Sequence, residues 1–90
     1  MDACIVIKDV IIENIDKLAN ARTAMNVAFE DHDEKFVELA TIFETAKVFV
    51  STLISSFETF FAENNYAYKS VELSQMFFRA SRHDSTDGSW

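Results

Sequence analysis

The sequence predicts an all-α protein: a long antiparallel helical hairpin plus a shorter third helix, a bundle completed by oligomerisation or by a partner. Three observations carry that expectation. The 90 residues contain no proline and a single glycine, Gly88. Reversals between strands draw on those two residues, so a chain nearly without them has little means of building a sheet. Phe36, Leu39, Phe43, Ala46, Val50, Leu53, Phe57 and Phe60 follow one another at alternating steps of three and four. This is the seam of a helix in heptad register, and strands, with a side-chain period of two, cannot sustain it. Finally, 90 residues suit one small domain, which in this size range often leans on a staple or a partner.

The first helix is expected over 3–29. Ile11, Ile15, Leu18, Met25 and Phe29 keep the seam rhythm if Arg22 takes the skipped position, and Cys4 extends it upstream through Lys8. The opening run CIVIKDVII is β-branched and apolar all round, which suits a strand locally. It lacks a turn after it and a pairing partner, so helix is preferred, with Asn20 as the place where a break would fall.

The second helix is expected over 32–63. It is apolar well beyond its seam: Ala40, Ile54 and Phe61 flank one side, Ile42 and Phe49 the other, with Val37 and Val48 further round. Only Glu38, Glu44, Lys47 and Glu58 are charged between Phe36 and Ala62. Such width predicts contact on at least two sides. Asn64 and Asn65 offer the left-handed conformation common at helix ends. The third helix follows over 66–80, with Leu73, Met76, Phe77 and Ala80 on its inner face. These elements make one domain, 1–80. The remaining SRHDSTDGSW, 81–90, has no apolar period and reads as a flexible tail, in which Trp90 is the one side chain suited to docking.

The stretch FEDHDEKF joins the two long helices. Asp31 precedes Glu34 by three residues, the spacing of a capping box. Asp33 and Glu34 sit where the helix dipole favours carboxylates, and Phe29 and Phe36 are placed to pack across the turn. A calcium loop of the EF-hand type is excluded. Counting from Asp31, Phe36 stands where the loop needs glycine and Ile42 where it needs the bidentate glutamate.

Catalytic chemistry finds no support in the residues, so the expectation is a protein that is not an enzyme and has no cofactor and no metal. Cys4, the only cysteine, lies in an apolar run that disfavours a thiolate. The two histidines fall in the turn and the tail, the Glu-x-x-His pairs of di-iron bundles are missing, and one glycine cannot form a phosphate loop. The amino terminus has no basic region of the secretory kind, and no apolar run approaches the ~18 residues of a membrane span. Those features point to a cytoplasmic protein, in a host cytoplasm if viral, that does not engage a membrane.

Charge then narrows the partner. The net charge is −7, which opposes direct nucleic-acid binding. Residues 30–63 hold two basic and eight acidic groups, so the excess belongs to the turn and the second helix. Glu30, Asp31, Asp33, Glu34 and Glu38 form a dense acidic patch suited to a basic or nucleic-acid-binding protein. Beyond it the carboxylates thin out: Glu44 and Glu58 stand ~21 Å apart on helical rise, too far for an extended imitation of DNA.

Helix length supplies the other half of the reading. The second helix would be ~46 Å long and the third only ~22 Å. Running back from Asn65, the third helix covers the part of the second near Phe49 to Phe61. The half towards the acidic turn keeps apolar side chains without a third layer, which monomers seldom tolerate. Val37, Ala40, Ile42, Phe43 and Phe49 are therefore the expected apolar interface, for a second copy or another protein. The function expected is an adaptor, small chaperone or inhibitor. The alternative is a viral or phage-encoded antagonist of a host nucleic-acid-handling protein, working through the acidic patch.

Overall fold

The computed structural model describes residues 2–82, which form three helices and no strand. They are α1 (Ala3–Glu30), α2 (Phe36–Glu63) and α3 (Ala67–Ala80). The tail residues from 83 onward, Trp90 among them, lie outside the described residues.

Asp2 starts α1: its carboxylate accepts from the Cys4 amide at 2.9 Å, satisfying one of the amides a helix leaves unpaired at its start. The β-branched run after it is helical, and α1 continues through Asn20 without a break. Tertiary burial overrides local strand preference here, because Cys4, Ile11, Ile15, Leu18 and Met25 together make one buried stripe. The stripe ends on Ala28 and not on Phe29, which the heptad rhythm selects. Phe29 instead meets Phe36 across the turn, with ring centroids 5.3 Å apart.

The turn is closed differently from a capping box. The Asp33 amide donates to the Ala28 carbonyl at 2.9 Å and the His32 amide to that of Phe29 at 3.2 Å, with His32 left-handed at φ 52°. This pattern terminates a helix around a left-handed residue, and here histidine fills a position where glycine is usual. Asp31 is spent closing α1, as its C-cap. On the far side the Asp33 carboxylate accepts from the Lys35 amide at 2.9 Å within the turn, and Lys35, the N-cap of α2, brings no side-chain cap. The second helix consequently begins at Phe36 and not at position 32, and the Asp31–Glu34 box is not made. The same device ends α2: Asn65 is left-handed at φ 65°, and the Tyr66 amide donates to the Phe61 carbonyl at 2.7 Å.

The core runs along all three helices. Phe43, Val50, Ile54 and Phe61 of α2 are buried against the α1 stripe and against Leu73 and Ala80 of α3. The wide apolar face of α2 is thus covered from two flanks, as its composition requires. At one end α3 leaves directly from Phe61. At the other, the Arg22 guanidinium of α1 donates to the Arg79 carbonyl at 2.7 Å, and Phe77 and Ser81 border a hollow with Lys47 and Ser51 of α2. Accordingly α3 reaches back only to Lys47, and the half of the hairpin nearest the turn has two layers. The long axis of 47 Å is that of the hairpin, since 28 residues rise ~42 Å.

Cys4 is buried, and this burial, helped by the nearby Asp2 carboxylate, pushes its thiol up from the usual range. Alkylation by iodoacetamide at pH 8 is expected to be at least ~tenfold slower in the folded chain than in urea, where the thiolate fraction is ordinary. Equal rates would show that the first turn of α1 opens freely.

A candidate interaction surface on the second helix

The acidic patch is one continuous exposed feature. Glu30, Asp31, Asp33, Glu34 and Glu38 are all exposed, the first at the end of α1 and the last in the first turn of α2. The hydrogen bonds that close the turn hold these residues at one tip of the elongated molecule. Among the described residues, no three His, Cys, Asp or Glu side chains are grouped to hold a metal ion. No described helix is long and apolar enough to cross a membrane.

The five residues expected at the apolar interface separate into three groups. Phe43 does not belong there: it is 0 % exposed. Its ring packs into the hairpin core and is overlaid by the Lys47 ammonium at 5.5 Å from the centroid, while Glu44 holds that ammonium at 3.3 Å. The missing third layer is replaced by a folded-over lysine stem, which shields apolar surface as its charge stays wet.

Val37 and Ala40 form the second group. Residues 37, 40, 44 and 47 alternate by three and four, so they continue the flank of α2 on which the end of α3 sits. Val37 is 74 % exposed, and Ala40 is half-buried. On α1, Asn26 lies one turn beyond Arg22 on the face turned to α3. Its Oδ1 is shielded from solvent without a hydrogen-bond partner, a condition that costs about 1–3 kcal/mol. Val37 and Ala40 line the seat that α3 is too short to fill.

Ile42 and Phe49 make the third group, seven residues apart and so on one face. By helical geometry that face lies ~120–140° round the axis from Val37. Both are exposed, Phe49 by 54 %, and with Val48, Thr45 and Glu44 it borders an open hollow on the outer side of α2. No family profile, curated protein or solved structure matches the chain. Its surfaces have therefore to be read from their own chemistry.

Sequence reasoning missed the partners of Ile42 and Phe49. Thr45, Thr52 and Ser56 are exposed on the same face, at spacings as regular as those of the core seam. The signal was available as a run of uncharged residues in heptad register. Hydroxyl side chains conceal it, because a search for apolar periodicity passes over them. Smaller apolar exposures occur elsewhere, at Ile5, Val6 and Val10 of α1 and at Tyr68, Val71 and Phe78 of α3, away from the acidic tip.

Proposed function

We propose that this protein acts by binding other protein chains, as an adaptor, small chaperone or inhibitor, and carries out no chemistry of its own. The observation that supports this reading is the exposed apolar content of α2, where Val37, Ile42, Val48 and Phe49 all stand at the surface. Ile42 and Phe49 share one face, with Val48 at the same hollow, and grouped apolar exposure of this kind on a small domain is characteristic of an interaction site. Removing it from water stabilises a complex by about 25 cal/mol per Å². The acidic tip supplies the second element: carboxylates held at one end of the seat steer a basic partner and set its orientation. A narrower reading rests on the same tip. A partner that itself binds nucleic acid would be blocked there, with carboxylates standing in for a few phosphates, and duplex DNA would compete for it.

Tagged wild type and Ile42→Asp, used as baits side by side, test the binding reading. A protein retained by the wild type is expected to be lost by the variant, while circular dichroism stays unchanged because residue 42 is exposed. Identical capture by both baits would remove the apolar face from the mechanism. For a retained partner, Asp33→Lys with Glu34→Lys is expected to slow association ~tenfold at low salt and to flatten its salt dependence. An unaltered rate would remove the steering role.

A further inference from the structure

The outer side of α2 carries a second heptad seam opposite the first. Lys35, Ile42, Phe49, Ser56 and Glu63 succeed one another every seven residues, and Glu38, Thr45, Thr52 and Thr59 fill the intervening positions. All nine are exposed. Between Glu38 and Glu63 this stripe has no charge, although it lies in the most acidic part of a chain whose net charge is −7. Of the other charges of α2, Glu58 borders a groove with Ser70 and Ser74 and Lys47 borders one with Phe77, both on the side of α3, while Glu44, paired with Lys47, stands at the rim of the outer hollow.

We propose that this seam is where a second copy of the chain binds, α2 against α2, antiparallel about a twofold axis at the level of Phe49. The proposal rests on the binding reading above and names the occupant of one of its surfaces. Two arguments favour a second copy over a basic partner. Two strongly acidic chains approach most readily through a face poor in carboxylates, and between Glu38 and Glu63 the outer stripe of α2 has none, with Glu44 at the rim of its hollow. The ends of the seam are also self-complementary. Lys35 and Glu63 lie fourteen residues to either side of Phe49, so an antiparallel twofold sets each lysine beside the glutamate of the other copy, as an isologous interface requires. At the centre, each Phe49 faces the hollow that Glu44, Thr45, Val48 and Phe49 border on its counterpart.

A contact one helix wide, ~10 Å, and ~42 Å long covers roughly 400 Å² per copy, about half the area per partner of a standard specific interface. The dimer is accordingly a weak and transient one. Sedimentation equilibrium of the full chain up to ~1 mM, at fixed salt, is the test. Wild type is expected to dimerise in that range, and a monomer throughout would overturn the proposal while leaving capture of a different protein through Ile42 as the separate test of the binding reading. Phe49→Glu is expected to raise Kd by ~30-fold or more, the scale of a central aromatic contact. Val71→Asp, at an exposed position of α3, adds a similar charge outside the seam and is expected to leave it unchanged. A dimer that survives Phe49→Glu or is lost on Val71→Asp would place the contact elsewhere and overturn the proposal. Lys35→Glu and Glu63→Lys should each weaken the dimer several-fold, and the double exchange should restore it. Since Glu63→Lys lowers the net negative charge, overall repulsion alone would make it tighten the dimer. Tightening would therefore overturn the register.

Discussion

Phe43→Ala is expected to destabilise the fold by about 3–5 kcal/mol, the range for removing a buried phenylalanine. The ring is fully enclosed in the half of the hairpin that α3 does not reach, so little around it can collapse into the space. Losing the ring also loses the surface over which the Lys47 ammonium lies, 5.5 Å from its centroid. A domain of this size has only about 5–15 kcal/mol in total. The substitution should lower the melting temperature by at least ~12 °C and move the urea midpoint without changing the slope. A loss below ~1 kcal/mol would mean that the ring is not a core element, and would return Phe43 to the interface role its sequence position suggests.

Leu73→Asp is expected to detach α3. Leu73 is fully buried at the middle of that helix, and a carboxylate there either stays charged at a cost of several kcal/mol or takes up a proton. The helix is 14 residues long, marginal on its own in water, so its order depends on docking. Hydrogen exchange should show protection lost along 67–80 and retained in the middle of α1 and α2. The Arg22 contact to the Arg79 carbonyl would go with it, and the flank of α2 from Lys47 to Phe61 would open. The variant should therefore bind more of an apolar dye than wild type does. Loss of protection across all three helices at once would show instead that α3 and the hairpin are a single cooperative unit.

How much of this architecture was legible beforehand varies by element, for physical reasons. The α2 seam was the clearest, since side-chain spacing along one helix is a local property and every seam residue from Phe36 to Phe60 packs in or against the core. Leu73, Met76, Phe77 and Ala80 likewise face inward on α3. The partial cover given by α3 followed from length alone. The acidic tip was legible too, because charge at a helical turn stays at the surface. Phe43 was misplaced since its cover is a side chain folded from one turn away, which a spacing argument does not register. The interface residues were read as one face, whereas Val37 and Ala40 lie on the α3 flank and Ile42 and Phe49 on the outer side.

The sequence by itself thus determined that three helices form, roughly where each begins and ends, and which stripe each turns inward. Those properties depend on residue spacing within a helix and on the scarcity of glycine and proline. Only the tertiary structure decided which aspartate accepts within the turn, because the amides of the turn are shared between two helices and the left-handed His32 sets their directions. It also decided which apolar residues remain outside, because burial is a property of neighbours, and α3 and Lys47 are the neighbours that divide the surface of α2.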